Sequence, residues 1–539
     1  MIKPGQMACL SASARKTTSL KTFWYRIPRW ARADAVWLTQ GLSQDSPVNG
    51  RLCVLLLGYA LLWAASADIR NLGLPLHGDM LEAFALSREL SFGYVKHPPL
   101  INWIVAAWFS AMPIVPWAFY LLSLLNAALA MWFVWLGARF VVDARRAVLA
   151  VALLGLTPIF AIHAALFNHN TFQLSLWPMV TAAFLASITY PGLIWSVAFG
   201  AASGAAILAK YYGALIVVAC VLATFLHPDR RAYWRSVRPY LAGAICILLV
   251  SPNLIWLYQN EFVSLYGHVI IERHRVESAG SNRFLAALMI SWMSVLAYCA
   301  ELIPVFFALW FCLLRRRQAF SIVLTDWNAR RAMVACLAGV PIVLPFLLLP
   351  LAGIALRDPW NYPAYFFAPL VVLSAPRLLV TRRAQTTVIG AVAMAAILAL
   401  LFSPLAMIAE FYSRGSESQP LAALSQAATD LWHDRMKTPL RFVGGSLYPS
   451  WALTFYSPDH PHVLPGSAHI VDLATVEQQW RDLGVLGICG QSDSACNAVL
   501  SLASPDAEKV NLTLPVTFLI FHLPSVDYEL YVQPPQGHR

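Results

Sequence analysis

The chain is dominated by apolar runs that are each close to the length needed to cross a lipid bilayer. A transmembrane helix needs about 20 mostly apolar residues, and somewhat fewer where flanking side chains reach back to the interface. Such runs lie at 51–67, 117–138, 148–166, 171–190, 193–209, 213–227, 239–258, 286–313, 333–353, 361–376 and 384–408. Hydrophobic residues make up 59% of the 539 residues and charged residues 12%, which is too apolar for a soluble domain of this length. We therefore predict an α-helical polytopic membrane protein with about 11 to 13 transmembrane helices.

The charged residues indicate how the chain is oriented. The net charge is +11, but the basic residues are concentrated in short segments between apolar runs, which argues against nucleic acid as a partner. These segments lie at 139–146, 229–238, 315–331 and 377–383. The positive-inside rule places all of them in the cytoplasm if the amino terminus is also inside. Residues 1–50 are basic and have no apolar signal-peptide core, so we expect a cytoplasmic tail there.

One apolar segment does not fit this alternation. Counting Pro98 to Val115 as a full span would invert every later loop, so we predict a helix that lies in or against the membrane interface. The outer face of the membrane then receives five segments between spans, at 68–97, 163–171, 210–212, 258–283 and 357–363.

Residues 409–539 differ from the apolar part and are long enough to fold as a separate domain on the outer face. The segments LRFVGG, GVLGIC and VTFLIF have the composition of strands, and TVEQQWRDLG has that of a helix, so we predict a small α/β domain. Cys489 and Cys496 lie close together in ICGQSDSAC. They would form a disulfide in an oxidising compartment, and two free thiols are the alternative.

The first outer loop, 68–97, carries both a carboxylate and a cationic cluster. Asp79 begins a stretch with helical spacing, which would hold its carboxylate just above the membrane. Lys96 and His97 come directly before a Pro-Pro pair, whose extended backbone fixes the direction in which they point. The alternative is purely structural, with Asp79 capping its helix and Lys96 reaching to the interface.

Three further outer segments add cations and aromatic rings. Lys210 is a lone ammonium between two apolar runs, where insertion is costly unless an anion or the interface receives it. Arg357 and Trp360 lie at a membrane entrance, where aromatic residues normally form an interfacial belt but also stack on sugars. For most of the charged residues in IERHRVES, 271–278, we expect a solvated, salt-bridged surface.

These residues together predict a cationic pocket with a carboxylate at the membrane surface, which suits the phosphate of a lipid. Metal sites and activated nucleophiles are less well supported. Outside the apolar runs, no His-x-x-His, Cys-x-x-Cys or Asp-x-Asp pattern is spaced as a ligand set, and GGS at 444–446 lacks the sequence of a nucleophile elbow.

The first loop resembles that of a known enzyme family. Asp79, followed at this distance by Gly-Tyr-x-x-His-Pro-Pro-Leu ending at Leu100, is similar to the polyprenyl-phosphate-sugar-dependent glycosyltransferases of the GT-C fold. These include the bacterial family related to protein O-mannosyltransferases and to lipid A aminoarabinose and galacturonic acid transferases. Met80 stands where those enzymes usually have a second acid. The resemblance implies a transmembrane glycosyltransferase domain at 51–408, with 68–97 as its catalytic loop.

The resemblance also implies inverting transfer of a hexose or pentose from a polyprenyl phosphate. Asp79 would then deprotonate the acceptor hydroxyl, and nearby cations would stabilise the departing phosphate. His97 stands where the family places its phosphate-binding cation, and Lys96 and Lys210 are further candidates. Because a histidine is cationic only when protonated, we expect Lys96 to contribute more than His97.

The remaining substrate-binding candidates are Asn170, Arg357 and Trp360. Many relatives have a further acid in the second outer loop, where this chain has Asn-His-Asn at 168–170. A second carboxylate is therefore not indicated, and the sequence identifies no cofactor with certainty; a divalent metal is an open alternative that the sequence does not indicate.

The resemblance implies an undecaprenyl-type phosphate donor and an envelope acceptor such as lipopolysaccharide, lipid A or another glycan, with another lipid or a protein as alternative acceptors. It also implies a bacterial inner-membrane protein whose active site and carboxyl-terminal domain are periplasmic. A transporter or flippase of a lipid-linked sugar is the main alternative, although its site should lie near mid-membrane among charged or broken helices. A non-catalytic scaffold is a third hypothesis, and it leaves Asp79 unexplained.

Overall fold

The computed structural model describes residues 46–314, 317–414, 420–464, 482–503, 505–518 and 521–535. Almost all of the predicted cytoplasmic tail lies outside these residues, as does most of the predicted helix TVEQQWRDLG. The described residues form a mostly helical chain with one sheet near its carboxyl terminus.

Helices joined by short loops build the membrane part. In chain order they are α1 (Ser46–Arg70), α2 (Gly78–Ser87), α3 (Leu100–Phe109), α4 (Pro116–Ala138), α5 (Ala144–Leu154), α6 (Pro158–Ala161), α7 (Gln173–Thr189), α8 (Leu193–Ala209), α9 (Ala214–Thr224), α10 (Arg230–Trp234), α11 (Arg238–Gln259), α12 (Val263–Glu277), α13 (Arg283–Glu301), α14 (Ile303–Leu309), α15 (Arg317–Thr325), α16 (Ala329–Leu348), α17 (Asp358–Asn361), α18 (Ala368–Leu373) and α19 (Arg382–Arg414). Short 3₁₀ turns lie at His163–Ala165, Tyr211–Gly213, Pro350–Ala352 and Tyr362–Phe367, and α14 continues as a π-helical turn, Trp310–Leu314.

The structure confirms a polytopic helical membrane protein, but fewer long helices are found than the number of apolar runs suggests. Six helices of the described chain are long and apolar enough to cross a membrane: α1, α4, α11, α13, α16 and α19. The bent pair α5 and α6 would make a seventh span. The runs at 171–190, 193–209 and 213–227 form apolar helices of 10–17 residues instead, which are short for a span.

Proline explains where the predicted spans break. The run at 148–166 turns by 78° between α5 and Pro158. The run at 361–376 contains Pro363 and Pro369 and is divided into a 3₁₀ turn and the short α18. Proline lacks an amide hydrogen and its ring clashes with the preceding turn, so a helix starts at it more readily than it continues through it.

The first outer loop contains the predicted helix. α2 begins at Gly78, and the ring of His77 caps it by accepting a hydrogen bond from the Asp79 amide at 3.2 Å. After the Pro-Pro pair comes α3, which has ten residues and so a length of about 15 Å, half of what a span needs. This length agrees with the prediction that the apolar stretch before α4 is not a span.

The long helices and the shorter α7 and α8 pack side by side into a bundle. Along it, α19 lies against α1, α1 against α4, α4 against α7, α7 against α8, and α8 against α11. The close contact between α8 and α11 depends on Gly200, where an added Cβ would meet the carbonyl oxygen of Ala242 at 2.3 Å. The loops at one end of this bundle carry the residues of the predicted pocket.

The carboxyl-terminal part forms an α/β domain. Its elements are α20 (Leu421–Met436), β1 (Phe442–Gly445), α21 (Leu447–Tyr456), β2 (His462–Val463), β3 (Val485–Gly490), α22 (Ser494–Ala503), β4 (Glu508–Phe518) and β5 (Phe521–Gln533). The sheet order is β2-β1-β3-β5-β4, with β1 parallel to β2 and β3, and β5 antiparallel to both of its neighbours. A disulfide joins Cys489, at the end of β3, to Cys496 in α22.

Two of the three predicted strands are found where the sequence placed them, as β1 and β3. The third prediction is wrong in its outline. Of VTFLIF, 516–521, the first three residues end β4 and the last begins β5, two long strands that pair antiparallel, while 519–520 lie outside the described residues. The alternation of Val510, Leu512 and Leu514 with polar residues is the signal of β4 that sequence analysis missed.

Candidate active site

A cavity of about 590 Å³ lies at the end of the bundle where the first outer loop is found. We call it the outer cavity. Its polar lining residues are Asp79, Lys96, His97, Asn168, His169, Asn170, Lys210, Glu272, Arg275, Ser294, Arg357, Asp358 and Trp360. All seven residues proposed from the sequence as catalytic or substrate-binding are among them. The structure therefore brings together residues that are up to 281 positions apart, from 79 to 360.

Asp79 is held in one orientation by the second outer loop. Its side chain is 40% exposed, and one carboxylate oxygen accepts a hydrogen bond from the Asn168 side-chain amide at 3.0 Å. The amide oxygen of Asn168 in turn accepts the backbone N–H groups of Asn170 and Thr171, both at 2.9 Å. This leaves an accessible carboxylate on a fixed support, as a general base requires.

Lys96 lines the outer cavity, but its charge is shared. Its ammonium lies 2.9 Å from the carboxylate of Glu82, which belongs to α2 and is buried. Burial raises the pKa of Glu82, and the Lys96 ammonium opposes that shift. The expectation that Lys96 contributes more than His97 to phosphate binding is thus weakened, because a buried carboxylate already compensates the charge of Lys96.

His97 follows Lys96 and is buried, and its ring stacks on that of His169 with centroids 3.7 Å apart. Its carbonyl oxygen accepts the backbone N–H of Tyr94 at 3.1 Å, which closes the loop just before the Pro-Pro pair. The GYVKHPPL segment therefore presents a rigid edge to the cavity.

Lys210 has a different environment from the other cations of the cavity. It lies between α8 and the following 3₁₀ turn, and its ammonium donates a hydrogen bond to the side-chain oxygen of Asn170. The same ammonium lies 4.9 Å from the ring centroid of Trp360. Burial lowers the pKa of Lys210 to about 7, although the carboxylates of Glu272 and Asp79 favour the charged form. A buried ammonium held by an amide and an indole can receive an anion without first breaking a salt bridge.

Two arginines share a carboxylate on the opposite wall. Glu272 is 4% exposed and lies 2.8 Å from a guanidinium nitrogen of Arg275 and 3.3 Å from one of Arg357. The expectation of a solvated, salt-bridged surface at 271–278 is wrong for Glu272, which is buried, whereas Arg275 is exposed and salt-bridged to it. Their spacing of three residues on one helix is the signal that could have paired them.

Asp358 is a further cavity residue that sequence reasoning missed. One oxygen of its carboxylate is buried and has no hydrogen-bond partner among the described residues. Burial and the nearby Glu301 carboxylate raise its pKa, while His163 opposes that shift. The sequence signal was weak, since Asp358 stands between Arg357 and a proline at the start of a four-residue helix.

The remaining wall of the outer cavity is apolar. It includes Ile290, Met293 and Ala297 of α13, together with Leu356. Met293 is 61% exposed although it lines the cavity, and Met289 and Trp292 beside it are also exposed. An exposed apolar face on a transmembrane helix is suited to contact with lipid, so this wall is where we expect a lipid substrate to approach the cavity.

The cavity thus combines an accessible carboxylate, several cations and an apolar wall. Among the described residues, no group of three or more histidine, cysteine, aspartate or glutamate side chains is arranged to hold a metal ion.

Comparisons with known proteins agree with this arrangement. The family model described as dolichyl-phosphate-mannose-protein mannosyltransferase matches residues 96–256. The chain is 23% identical over 400 residues to the lipopolysaccharide core galacturonosyltransferase RgtA of Rhizobium johnstonii, covering 72% of this chain and 77% of that protein. It is 24% identical over 326 residues to RgtB of the same organism, also a lipopolysaccharide core galacturonosyltransferase, covering 59% and 62%.

The fold is that of a solved structure. ArnT from Cupriavidus metallidurans, bound to undecaprenyl phosphate, superimposes with a TM-score of 0.57 at 16% identity, over 90% of this chain and 99% of that one. This likeness confirms the GT-C fold indicated by the first loop.

Proposed function

We propose that this chain, a membrane glycosyltransferase of the GT-C fold, moves a sugar from a polyprenyl phosphate to a glycan of the bacterial cell envelope with inversion at the anomeric carbon. The observation that carries the proposal is the outer cavity, which is lined by Asp79, the buried Lys210 and an apolar wall on α13. The relatives named for lipopolysaccharide core galacturonosyl transfer and the solved structure with undecaprenyl phosphate support it.

Asp79 would act as the general base. An acceptor hydroxyl is a weak nucleophile until its proton is removed, and a carboxylate held by Asn168 is placed to remove it. The acceptor oxygen then forms a bond to the anomeric carbon as the bond from that carbon to the phosphate oxygen breaks. The electron pair of the broken bond stays on the phosphate. Attack from the face opposite the phosphate inverts the anomeric centre.

The phosphate gains negative charge as it leaves, so cations placed around it lower the barrier. Lys210 is the strongest candidate because its ammonium contacts an amide oxygen and two aromatic rings. Lys96 and His97, at the edge of the same cavity, would add positive potential around the phosphate, although the Glu82 carboxylate compensates part of the Lys96 charge. Side chains supply this charge, and we therefore propose that the reaction needs no resident metal.

The sugar would lie between the cations and α17. Trp360 offers an aromatic face, and the buried oxygen of Asp358 can accept hydrogen bonds from sugar hydroxyls. Arg275 and Arg357 are placed to pair with a carboxylate on the sugar. A uronic acid such as galacturonic acid is therefore the first donor sugar to test, in line with the names of the curated relatives.

The site and the domain at the carboxyl terminus would face the periplasm, with the chain in the inner membrane. The basic segments at 139–146, 229–238 and 377–383 lie in the loops that the predicted threading assigns to the other face of the bundle.

The experiment that tests the function is transfer of a labelled sugar by the purified protein from undecaprenyl phosphate donors to lipopolysaccharide. We expect transfer from the lipid monophosphate donor, little or none from a nucleotide sugar, and inversion of the anomeric configuration in the product. A wild-type protein that transfers nothing, but carries the labelled donor across a vesicle bilayer, would instead establish a flippase.

A further inference from the structure

The loop that carries Asp79 is tied to the carboxyl-terminal domain by two tyrosines of α21. The backbone N–H of Leu76 donates to the hydroxyl of Tyr456 at 2.9 Å, and the hydroxyl of Tyr448 donates to the carbonyl oxygen of Leu76 at 2.9 Å. Leu76 is 1% exposed. Both backbone polar groups of one buried residue, three positions before Asp79, are therefore satisfied by side chains from a helix about 370 residues later.

Further contacts follow α2 along its length. The ring of Tyr448 lies beside Gly78, where an added Cβ would be 3.6 Å from the ring carbons. Phe84 packs edge-to-face on Phe455 with ring centroids 5.1 Å apart. At the far end of α2, the guanidinium of Arg88 donates to the carbonyl oxygen of His460 at 3.2 Å. The domain thus contacts α2 at its start, its middle and its end.

We propose that the carboxyl-terminal domain positions the catalytic base, with Tyr448 and Tyr456 as the positioning residues. This inference rests on the proposed function, because it assigns a purpose to the placement of Asp79. An isolated helix of ten residues is marginally stable, so the point at which α2 begins depends on what holds the residues before it. Fixing Leu76 fixes the first turn of α2, and Asp79 lies in that turn.

The effect should fall on the chemical step rather than on donor binding. The base must reach the acceptor hydroxyl within hydrogen-bond distance, and small displacements of such a group are costly to the rate. The cations that would hold the donor phosphate and sugar, Lys210, Arg275 and Arg357, are carried by segments other than α2. Removing the tyrosine hydroxyls leaves those segments intact.

The test compares Tyr448→Phe, Tyr456→Phe and the double variant with the wild-type protein. Each change removes a hydroxyl and keeps the ring that packs against α2. We expect kcat to fall about tenfold or more in the double variant, with the donor KM within about twofold of wild type. Tyr531→Phe is the matched control, since its hydroxyl contacts Asn497 and Ser501 inside the same domain. It should leave kcat unchanged.

Hydrogen exchange of the segment 76–81 provides a readout that does not depend on turnover. Its amides should exchange faster in the double variant and at the wild-type rate in Tyr531→Phe. The inference is overturned if the double variant keeps both the wild-type kcat and the wild-type exchange rate. It is also overturned if the control Tyr531→Phe lowers kcat as much as the double variant does. If the wild-type protein transfers no sugar, the proposed function fails, and the exchange of 76–81 still decides whether the tyrosines hold the loop.

Discussion

At the scale of single residues, the cavity distinguishes cations that looked alike in the sequence. Lys96 and Lys210 were both candidates for the phosphate, and spacing along the chain gave no reason to separate them. The structure pairs Lys96 with the buried Glu82 and leaves Lys210 with Asn170 and Trp360. An ion-pair partner one turn away on the same helix can be predicted from the sequence. The partners of Lys210 come from two other outer segments, and spacing along the chain does not predict them.

Lys210 should give donor binding a pH dependence. Because burial lowers its pKa to about 7, the ammonium is present below that pH and is lost as the pH rises through it. The donor phosphate binds the charged form, so kcat/KM for the donor should fall above about pH 7 as Lys210 loses its proton.

The pH profile of kcat/KM for Lys210→Arg provides the check. A guanidinium stays charged throughout this range, so the fall above pH 7 should disappear even if the overall rate is lower. An unchanged alkaline fall in Lys210→Arg would show that another group is responsible.

At the scale of secondary-structure elements, the apolar runs predicted where the helices lie but not where they break. The breaks follow prolines, as at Pro158 and Pro363, and the sequence contains these residues in plain view. Which prolines end a helix could not be predicted from the sequence, because α7, α11 and α16 also contain proline and continue through it. Packing against neighbouring helices decides which prolines end a helix.

On the predicted cytoplasmic side, Arg331 also holds neighbouring segments together through hydrogen bonds. The guanidinium of Arg331 is 1% exposed and donates to the carbonyl oxygens of Val323, Asp326 and Val371 at 2.6–2.9 Å. It joins the end of α15 and the middle of α18 to the first turn of α16. Sequence analysis assigned this segment to the positive-inside signal alone.

Arg331→Met should therefore destabilise the bundle, because three carbonyl oxygens lose a charged donor. We expect a loss of at least about 2 kcal/mol, seen as a lower Tm in detergent. Arg330→Met removes the same charge from an exposed neighbour and should leave Tm within about a degree of wild type. Equal shifts in the two variants would indicate that net charge, not hydrogen bonding, sets the stability.

At the scale of the whole molecule, the fold class and the grouping of the seven candidate residues at one end of the bundle were predictable from the sequence, while the joining of the two parts was not. The seven candidate residues share one cavity because each lies at the same end of a helix bundle, and hydropathy with charge bias identifies that end. The contact between α21 and α2 has no comparable signal. It depends on two hydroxyls and a backbone some 370 residues apart.

The orientation of the molecule can be tested by fusion. If the basic segments are cytoplasmic, alkaline phosphatase fused after Arg539 should be active and a fluorescent protein fused there should be dark. Fusions within 229–238 should give the reverse pattern. Fluorescence at the carboxyl terminus would place the outer cavity on the cytoplasmic side and contradict the proposed topology.

The central claim is that Asp79 activates the acceptor in a reaction that uses a lipid-phosphate sugar. The measurement that tests it most directly is sugar transfer by Asp79→Asn beside binding of the undecaprenyl phosphate donor, at matched protein level. Asp430→Asn, an exposed carboxylate in α20, is the control. We expect kcat to fall at least about a hundredfold in Asp79→Asn with donor affinity retained, and no change in Asp430→Asn. Full transfer activity in Asp79→Asn would contradict the account.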